Sequence, residues 1–228
     1  MSSWPDELKN TLIFWFKIQK NPSLEPNSSN ITYFYLTSKQ NLPVRTYLQQ
    51  QFIQLNIPWL TNWENFLNLT KKNNPKYLLI FPGSGHPAKN WPLQNFYHIA
   101  KKFQSRVSLR FVLGPAEHRL KILNFSWIQL ETIPELISIL QQTFLVLGND
   151  SGPMHLASLL KIPGIVLFGP TNHQIWQPEH LHLIKSPCAC APCSNNAQIN
   201  CANPKCMSEI SIEKVEKTLH QLLQCHHK

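Results

Sequence analysis

The sequence predicts an α/β fold, a doubly wound parallel sheet that carries helices on both faces. Three observations support it: short apolar runs alternate with helical segments from Tyr77 onward, glycine-bearing turns follow two of these runs, and no internal repeat is present. Alternation of strands with helices is typical of a parallel sheet. Ligands bind such sheets beyond the carboxyl ends of the strands, so we expect a site there.

The first elements of this fold alternate over about fifty residues. The helix predicted after the first strand is amphipathic, because its apolar residues recur every three or four positions. Its inward face is expected to hold Leu93, Phe96, Ile99, Ala100 and Phe103. Around it we predict strands at Tyr77–Phe81, Leu109–Leu113 and 127–130, and a short helix over 116–123.

The next elements begin at a capping box, Thr132-x-x-Glu135, which predicts a helix that continues to Gln142. Its inward residues are expected to be Ile133, Leu136, Ile137 and Leu140. Strands at 144–147 and 165–168 flank a helix that starts at Pro153, a residue suited to a first helical turn. In that helix we expect Met154, Leu156, Leu159 and Leu160 to be core, and a last helix covers 212–223.

The amino-terminal third differs from the rest, being rich in Asn, Gln, Pro and aromatic residues. It predicts a strand over 31–36 and a helix over 45–55. Asn73-Asn74-Pro75 is typical of a boundary. We therefore predict two domains, 1–75 and 76–228.

Composition limits the class of protein. Of 228 residues, 43% are hydrophobic and 14% charged, as in a globular chain. The net charge of +9 favours anionic partners, but no Lys/Arg run exceeds two residues, which argues against nucleic acid; a diffuse positive field is the alternative. No apolar stretch approaches the roughly 18 residues of a spanning helix, and no signal peptide is evident. We expect a cytoplasmic protein, with peripheral contact at the inner face of the membrane as a further expectation.

The most informative stretch is Gly148-Asn149-Asp150-Ser151-Gly152, which contains one of only two aspartates in the chain. It joins an apolar run to a helical pattern, so free N–H groups and a positive helix end meet at one point. A similar turn, Phe81-Pro82-Gly83-Ser84-Gly85, is followed by Lys89. Two phosphate-seeking turns predict a nucleotide or nucleotide-sugar site.

Motifs in the same order and spacing resemble glycosyltransferase family 9, the heptosyltransferases of lipopolysaccharide core assembly. The matching stretches are Phe81-Pro82-Gly83-Ser84-Gly85-x-x-x-Lys89-x-Trp91-Pro92, Gly148 to Ala157, Leu167-Phe168-Gly169-Pro170-Thr171, Trp176-x-Pro178 and the region of Cys190, Cys193, Cys206 and Met207. The resemblance implies a GT-B architecture whose Rossmann-like carboxyl-terminal half holds the donor. It also implies inverting transfer from ADP-heptose to a lipid-linked core oligosaccharide, with no metal and no other cofactor.

The resemblance also implies roles for single residues. Lys89 would contact the diphosphate, and Lys89 and Asp150 would be the catalytic pair. The other expected donor-binding residues are Ser84 and Gly85 at the diphosphate, Glu117 at the ribose, Thr132 beside the base, and Ser151, Gly152 and His155 around the diphosphate and sugar. We place Asp150 against sugar hydroxyls or Lys89, because it lies too close to the phosphate zone to bind an anion itself.

Structural explanations compete with these roles. Asp150 or Ser151 could simply cap the next helix, His155 could be a packed core residue, and Lys89 and Glu117 could be solvated surface residues. The cysteine cluster allows a second alternative. Its thiols Cys190, Cys193, Cys201 and Cys206 could bind zinc, although their spacing is irregular and reduced buried thiols are the simpler interpretation.

One feature of the family is missing from the sequence. Family members open with a glycine-rich turn whose Gly-Asp pair supplies a general base, and the early acids Asp6, Glu7, Glu25 and Glu64 have no such context. We therefore expect an intact donor half and an incomplete amino-terminal acceptor domain. Two further hypotheses remain: a non-catalytic or split nucleotide-sugar-binding remnant, and a zinc-dependent interaction module.

Overall fold

The computed structural model describes residues 13–17, 31–36, 41–59, 75–118, 120–194, 199–201 and 204–226. The chain divides into two compact units, Met1–Thr61 and Asn62–Lys228. Of the predicted boundary, only Pro75 lies within the described residues. The interpretation of the first unit as part of an acceptor domain stays a prediction.

The first unit contains two parallel strands, β1 (Ile13–Lys17) and β2 (Ile31–Tyr35), and helix α1 (Val44–Gln54). Phe34 on β2 is fully buried, and its ring lies 4.5 Å from that of Phe52 on α1. The predicted strand at 31–36 and helix at 45–55 are confirmed within a residue or two.

The second unit is built on a six-stranded parallel sheet. Its strands are β3 (Tyr77–Phe81), β4 (Leu109–Leu113), β5 (Trp127–Gln129), β6 (Thr143–Asn149), β7 (Gly164–Phe168) and β8 (His182–Lys185). Their spatial order is β5-β4-β3-β6-β7-β8, and every neighbouring pair is parallel. This is the Rossmann order, in which the direction of winding reverses between the first and fourth strands.

Helices cover both faces of this sheet, which confirms the doubly wound prediction. They are α2 (Leu93–Phe103), α3 (Ile133–Leu140), α4 (Gly152–Leu159), α5 (His173–Trp176), α6 (Lys205–Ser208) and α7 (Ile212–His226). One core cluster joins the sheet to α2 and α7, and the other joins it to α3 and α4. Alternate strand residues therefore point into two separate cores, as the period of two requires.

The reversal of winding falls between β3 and β6, where the two glycine turns begin. Phe81 pairs with Gly148 in this register. A Cβ on Gly148 would lie 2.7 Å from Met154 Sδ and 3.0 Å from the Phe81 carbonyl oxygen, so only glycine fits between strand and helix here. Both turns leave the same edge of the sheet side by side.

Three local expectations were wrong. Among the described residues of 116–123 there is no α-helix; a 3₁₀ turn covers Pro115–Glu117. In α3, Ile133 is 64% exposed because it lines an open cavity, whereas Ile139 is buried. In α4, Leu159 is 36% exposed, whereas Met154 and Leu160 are buried as expected.

No helix in the described ranges combines the length and apolar character needed to cross a lipid bilayer.

Candidate functional site

The two glycine turns are joined by one buried amide. Asn149 ends β6 and is fully buried. Its Nδ2 donates to the Pro82 carbonyl oxygen at 2.7 Å, and its Oδ1 accepts from the Trp91 backbone N–H at 3.0 Å. The Trp91 indole N–H donates to the Ile210 carbonyl oxygen at 3.1 Å. These bonds fix the position of the segment that carries Lys89.

Lys89 and Asp150 meet across the two turns. Lys89 Nζ lies 3.1 Å from Asp150 Oδ2, and the side chains are only 14% and 8% exposed. A buried ion pair costs desolvation energy on both sides, so it is poor evidence for stability alone. The ammonium group has three N–H donors and one of them is directed at Asp150. The remaining donors can serve a ligand.

Thr171 is a site residue to which the sequence interpretation gave no role. It lies just beyond the end of β7, is 1% exposed, and its Oγ1 donates to Asp150 Oδ2 at 2.8 Å. Its loop is held by backbone bonds from Cys193 N and Ser194 N to the Pro170 carbonyl oxygen, both 2.9 Å. One carboxylate oxygen of Asp150 thus accepts hydrogen bonds from both Lys89 and Thr171. The available signal was position: Thr171 follows a buried strand at the ligand-binding edge.

His155 lies on the other side of the same carboxylate. Its Nε2 is 3.9 Å from Asp150 Oδ1. Burial lowers the pKa of His155 from its ordinary value, and Lys89 lowers it further, against the opposing effect of Asp150. The imidazole is therefore neutral at pH 7, and it can donate or accept a hydrogen bond without adding charge.

A cavity of about 560 Å³ opens beside this cluster, between the ends of β3, β4, β5 and β6. Pockets for small ligands typically measure about 300–1,000 Å³. Its apolar wall consists of Leu113, Leu130, Ile133, Leu136, Leu156 and Leu159. Its polar lining includes Ser84, Gly85, Glu117, Thr132, Ser151, Gly152 and His155. Lys89 and Asp150 do not line it, but lie at its border next to Ser151 and His155.

Ser151 offers the cavity an unused hydroxyl group. The residue is 8% exposed, and its Oγ has no hydrogen-bond partner among the described residues. It stands at the N-cap of α4 but does not cap that helix with its side chain. A buried hydroxyl group without a partner costs about 1–3 kcal/mol, so a bound acceptor would recover that energy.

Some hydrogen-bond donors of the two glycine turns are used within the protein and are not free for a ligand. The Ser84 hydroxyl group lies 2.8 Å from the His86 carbonyl oxygen and 2.6 Å from Asn90 Oδ1, so it is used within its own loop. In α4, Pro153 has no N–H and the Met154 N–H turns back to the Ser151 carbonyl oxygen. Gly152 therefore remains as the N–H donor of the first turn.

Glu117 and Thr132 lie at the far end of the cavity. Glu117 Oε2 accepts from the Gly114 N–H at 2.8 Å, and a Cβ on Gly83 would overlap its carboxyl group. Thr132 caps α3, with its Oγ1 accepting from the Glu135 N–H at 3.4 Å. The capping box is confirmed. The structure thus brings the predicted donor-site residues to one edge of the sheet, while their contacts with a ligand stay predictions.

The cysteine segment lies against the Thr171 loop. Cys188 Sγ and Cys190 Sγ are 3.2 Å apart. Burial and the nearby Cys190 and Cys193 raise the pKa of Cys206 to about 11, so this thiol stays protonated. In the described part of the chain, no three His, Cys, Asp or Glu side chains are placed to hold a metal ion. The expectation of buried thiols holds for Cys206 but is wrong for Cys190, Cys193 and Cys201, which are exposed.

Comparison with known proteins identifies the family of the chain. The sequence profile of glycosyltransferase family 9 (heptosyltransferase) matches residues 32–220. The chain belongs to glycosyltransferase family 9. It is 32% identical over 198 residues to lipooligosaccharide heptosyltransferase 2 of Campylobacter jejuni subsp. jejuni serotype O:2, a match that covers 79% of this chain and 60% of that relative.

Solved structures of the family share the fold. A glycosyl transferase family 9 from Veillonella parvula superposes with a TM-score of 0.60 at 21% identity, covering 84% of this chain and 63% of that one. The E. coli heptosyltransferase WaaC with ADP-2-deoxy-2-fluoro heptose gives 0.57 at 14% identity, covering 83% and 58%. The family 9 chain thus spans about 60% of the length of the relatives it matches.

The acidic residues considered for the missing Gly-Asp motif lie in the amino-terminal third of the chain. Asp6, Glu7, Glu25 and Glu64 all lie outside the described residues.

Proposed function

We propose that this protein transfers a heptose from ADP-heptose to a lipopolysaccharide core acceptor, with inversion at the anomeric carbon and without a metal ion. The observation that carries the proposal is the buried Lys89–Asp150 pair beside a cavity of about 560 Å³ at the Rossmann switch point. Family membership supports the same reaction class.

The cavity suits the nucleoside part of such a donor. Its apolar wall can cover the faces of a base, and the carboxylate of Glu117 can accept hydrogen bonds from a ribose. Ser151, whose hydroxyl group is unpartnered among the described residues, and Gly152 line the cavity directly after Asp150 in the chain, where the diphosphate would follow. The relative solved with an ADP-heptose analogue supports adenine as the base and heptose as the sugar.

The chemistry needs positive charge at the leaving group. An acceptor hydroxyl oxygen attacks the anomeric carbon and gives up its proton to a general base, the bond from that carbon to the diphosphate oxygen breaks, and ADP departs with the electron pair. Lys89 supplies an ammonium group where this negative charge grows, so it stabilises the transition state more than the ground state. Asp150 orients Lys89 and can accept hydrogen bonds from sugar hydroxyl groups.

Nucleotide binding and transfer test this function. We expect ADP to raise the melting temperature, and at a hundred times its Kd to add about 2.7 kcal/mol to the free energy of unfolding. Lys89→Met should weaken ADP about 10- to 100-fold, since charge-assisted hydrogen bonds contribute about 1.5–3 kcal/mol. Lys101→Met, on the exposed face of α2, removes the same charge and should bind ADP normally.

The outcomes separate the alternatives. Binding of ADP together with transfer to heptose-deficient core lipid in the presence of EDTA supports the whole proposal. Binding without transfer would favour the non-catalytic or split form. If no adenine nucleotide or sugar nucleotide shifts the melting temperature of the wild-type protein, the proposal is wrong.

We also place the reaction at the inner face of the cytoplasmic membrane. A lipid-linked acceptor is embedded in a bilayer, and the net charge of +9 favours anionic lipid. Co-sedimentation with phosphatidylglycerol vesicles, and its absence with phosphatidylcholine vesicles, is the expected result. Equal recovery with both lipids would contradict it.

A further inference from the structure

A second, smaller cavity lies at the same edge of the sheet, on the β7–β8 side of Asp150. It measures about 260 Å³ and is bounded by the ends of β7 and β8 and by the segment 187–192. This volume is below the roughly 300–1,000 Å³ of pockets for drug-sized ligands, so it suits a small group. The donor proposed above does not use it.

A lysine and a histidine side chain line this cavity. Lys185 ends β8, and His173 begins α5. Both lie in the lining of the same cavity; burial lowers the pKa of His173, and the charge of Lys185 lowers it further, so the imidazole is neutral at pH 7. Among the described residues, no carboxylate lines the cavity to balance the lysine charge. The ammonium group of Lys185 therefore favours the entry of an anion, and the neutral imidazole can add a hydrogen bond without adding charge.

The rest of the lining adds one hydroxyl donor. Ser186 is 7% exposed, and its Oγ accepts a hydrogen bond from the Cys188 N–H at 3.1 Å. Because that bond uses an acceptor position, the hydroxyl proton is still available for donation. Pro187 and Pro192 have no N–H, so side chains must supply the donors on that wall.

We infer that this cavity is an anion-binding subsite, which holds a phosphoryl or carboxylate group between Lys185, His173 and Ser186. The three groups are donors of hydrogen bonds, and one carries a full charge that no described carboxylate pairs. Such a group has two possible sources: a substituent of the acceptor, or free phosphate that acts on the enzyme from solution.

Inorganic phosphate is the probe for the direct test. It is titrated calorimetrically into protein saturated with ADP, so that the donor cavity is already occupied. We expect Lys185→Met to weaken phosphate about tenfold or more and His173→Gln about threefold or more, as lost charge-assisted and neutral hydrogen bonds predict. Both side chains reach the surface, so these variants should keep the wild-type melting temperature.

The matched control is Lys217→Met. This lysine lies on the exposed face of α7, so its removal lowers the net charge equally without touching the cavity. Unchanged phosphate affinity in Lys217→Met, with loss in Lys185→Met, supports the subsite. Equal affinity in all variants, equal losses in both lysine variants, or no binding to the wild-type protein would each overturn it.

Phosphate binding to this cavity can also be measured if the protein does not bind ADP. Should ADP not bind, the same titrations are made in the Lys89→Met background, where the phosphate-seeking turns lack their ammonium group. Where transfer is measurable, acceptors with and without phosphoryl groups identify the source. A higher KM in Lys185→Met for the phosphorylated acceptor alone assigns the anion to the acceptor; an unchanged KM with weakened phosphate assigns it to free phosphate.

Discussion

The side-chain amide of Asn149 donates a 2.7 Å hydrogen bond to the carbonyl oxygen of Pro82, and so ties the ends of two adjacent parallel strands. The same side chain accepts the Trp91 N–H. The distance between the two glycine turns is therefore set by a buried residue that need not contact a ligand. Lys89 reaches Asp150 because this bond holds both turns in place.

Asn149→Ala should destabilise the fold and weaken ADP binding together. It leaves a carbonyl oxygen and an N–H buried without partners, which costs about 2–4 kcal/mol in total. Urea unfolding and ADP calorimetry measure the two effects. Gln94→Ala, on the exposed side of α2, should change neither. A stable Asn149→Ala variant with normal ADP affinity would show that the turns are held by other contacts.

Ser151→Ala should separate binding from stability. Its hydroxyl group is buried without a described partner, so the free energy of unfolding of the free protein should stay the same or rise by up to about 1 kcal/mol. ADP should bind about 3- to 30-fold more weakly, because one donor to the diphosphate is lost.

Ser158→Ala is the control in the same helix. Ser158 Oγ accepts the His180 N–H at 3.2 Å, so its removal should destabilise the protein without changing ADP affinity. Destabilisation by Ser151→Ala in the absence of nucleotide would indicate a structural hydroxyl group instead.

Thr171→Val should lower kcat more than it raises the KM for the donor. It keeps the shape of the side chain but removes the 2.8 Å bond to Asp150 Oδ2, which leaves the carboxylate held by Lys89 alone on that oxygen. A hydrogen bond to a charged group contributes about 1.5–3 kcal/mol, so we expect a loss of roughly 10- to 100-fold in kcat.

Thr171→Ser retains the hydroxyl group and should restore most of the rate. If both variants have the same kcat, the hydroxyl group does not position Asp150 for the reaction. Steady-state transfer assays, with melting temperatures recorded alongside, provide the measurement.

His155 should make the stability of the protein fall with acidification. Its pKa in the folded state is lowered by burial, so below the ordinary value of 6.5 the unfolded state binds more protons than the folded state. The free energy of unfolding should therefore decrease as the pH falls from about 7 through this range, and less so in His155→Gln. His182→Gln, at an exposed position, should follow the wild type. Parallel pH profiles for wild type and His155→Gln would contradict this.

The sequence predicted the sheet and its ligand-binding edge because their signals are local. Buried parallel strands are continuous apolar runs, and glycine turns mark where they end. The capping box at Thr132 located α3 correctly. Once the strands are parallel, neighbouring turns must share an edge, so the meeting of Lys89 with Asp150 followed.

Other features depend on tertiary contacts that no local pattern records. Strand β8 was not predicted, since an edge strand with polar ends resembles a loop. The exposure of Ile133 depends on the cavity that opens at the start of α3. The contact of Thr171 with Asp150 joins residues that are 21 positions apart in the chain. The sequence position of Ser151 is typical of a helix cap, but its hydroxyl group has no partner among the described residues.

The site residues brought together here all belong to the unit Asn62–Lys228. The candidate site is therefore encoded within one contiguous stretch of sequence. Under the proposed function, such modularity would let natural selection diversify acceptor recognition while this stretch is inherited intact.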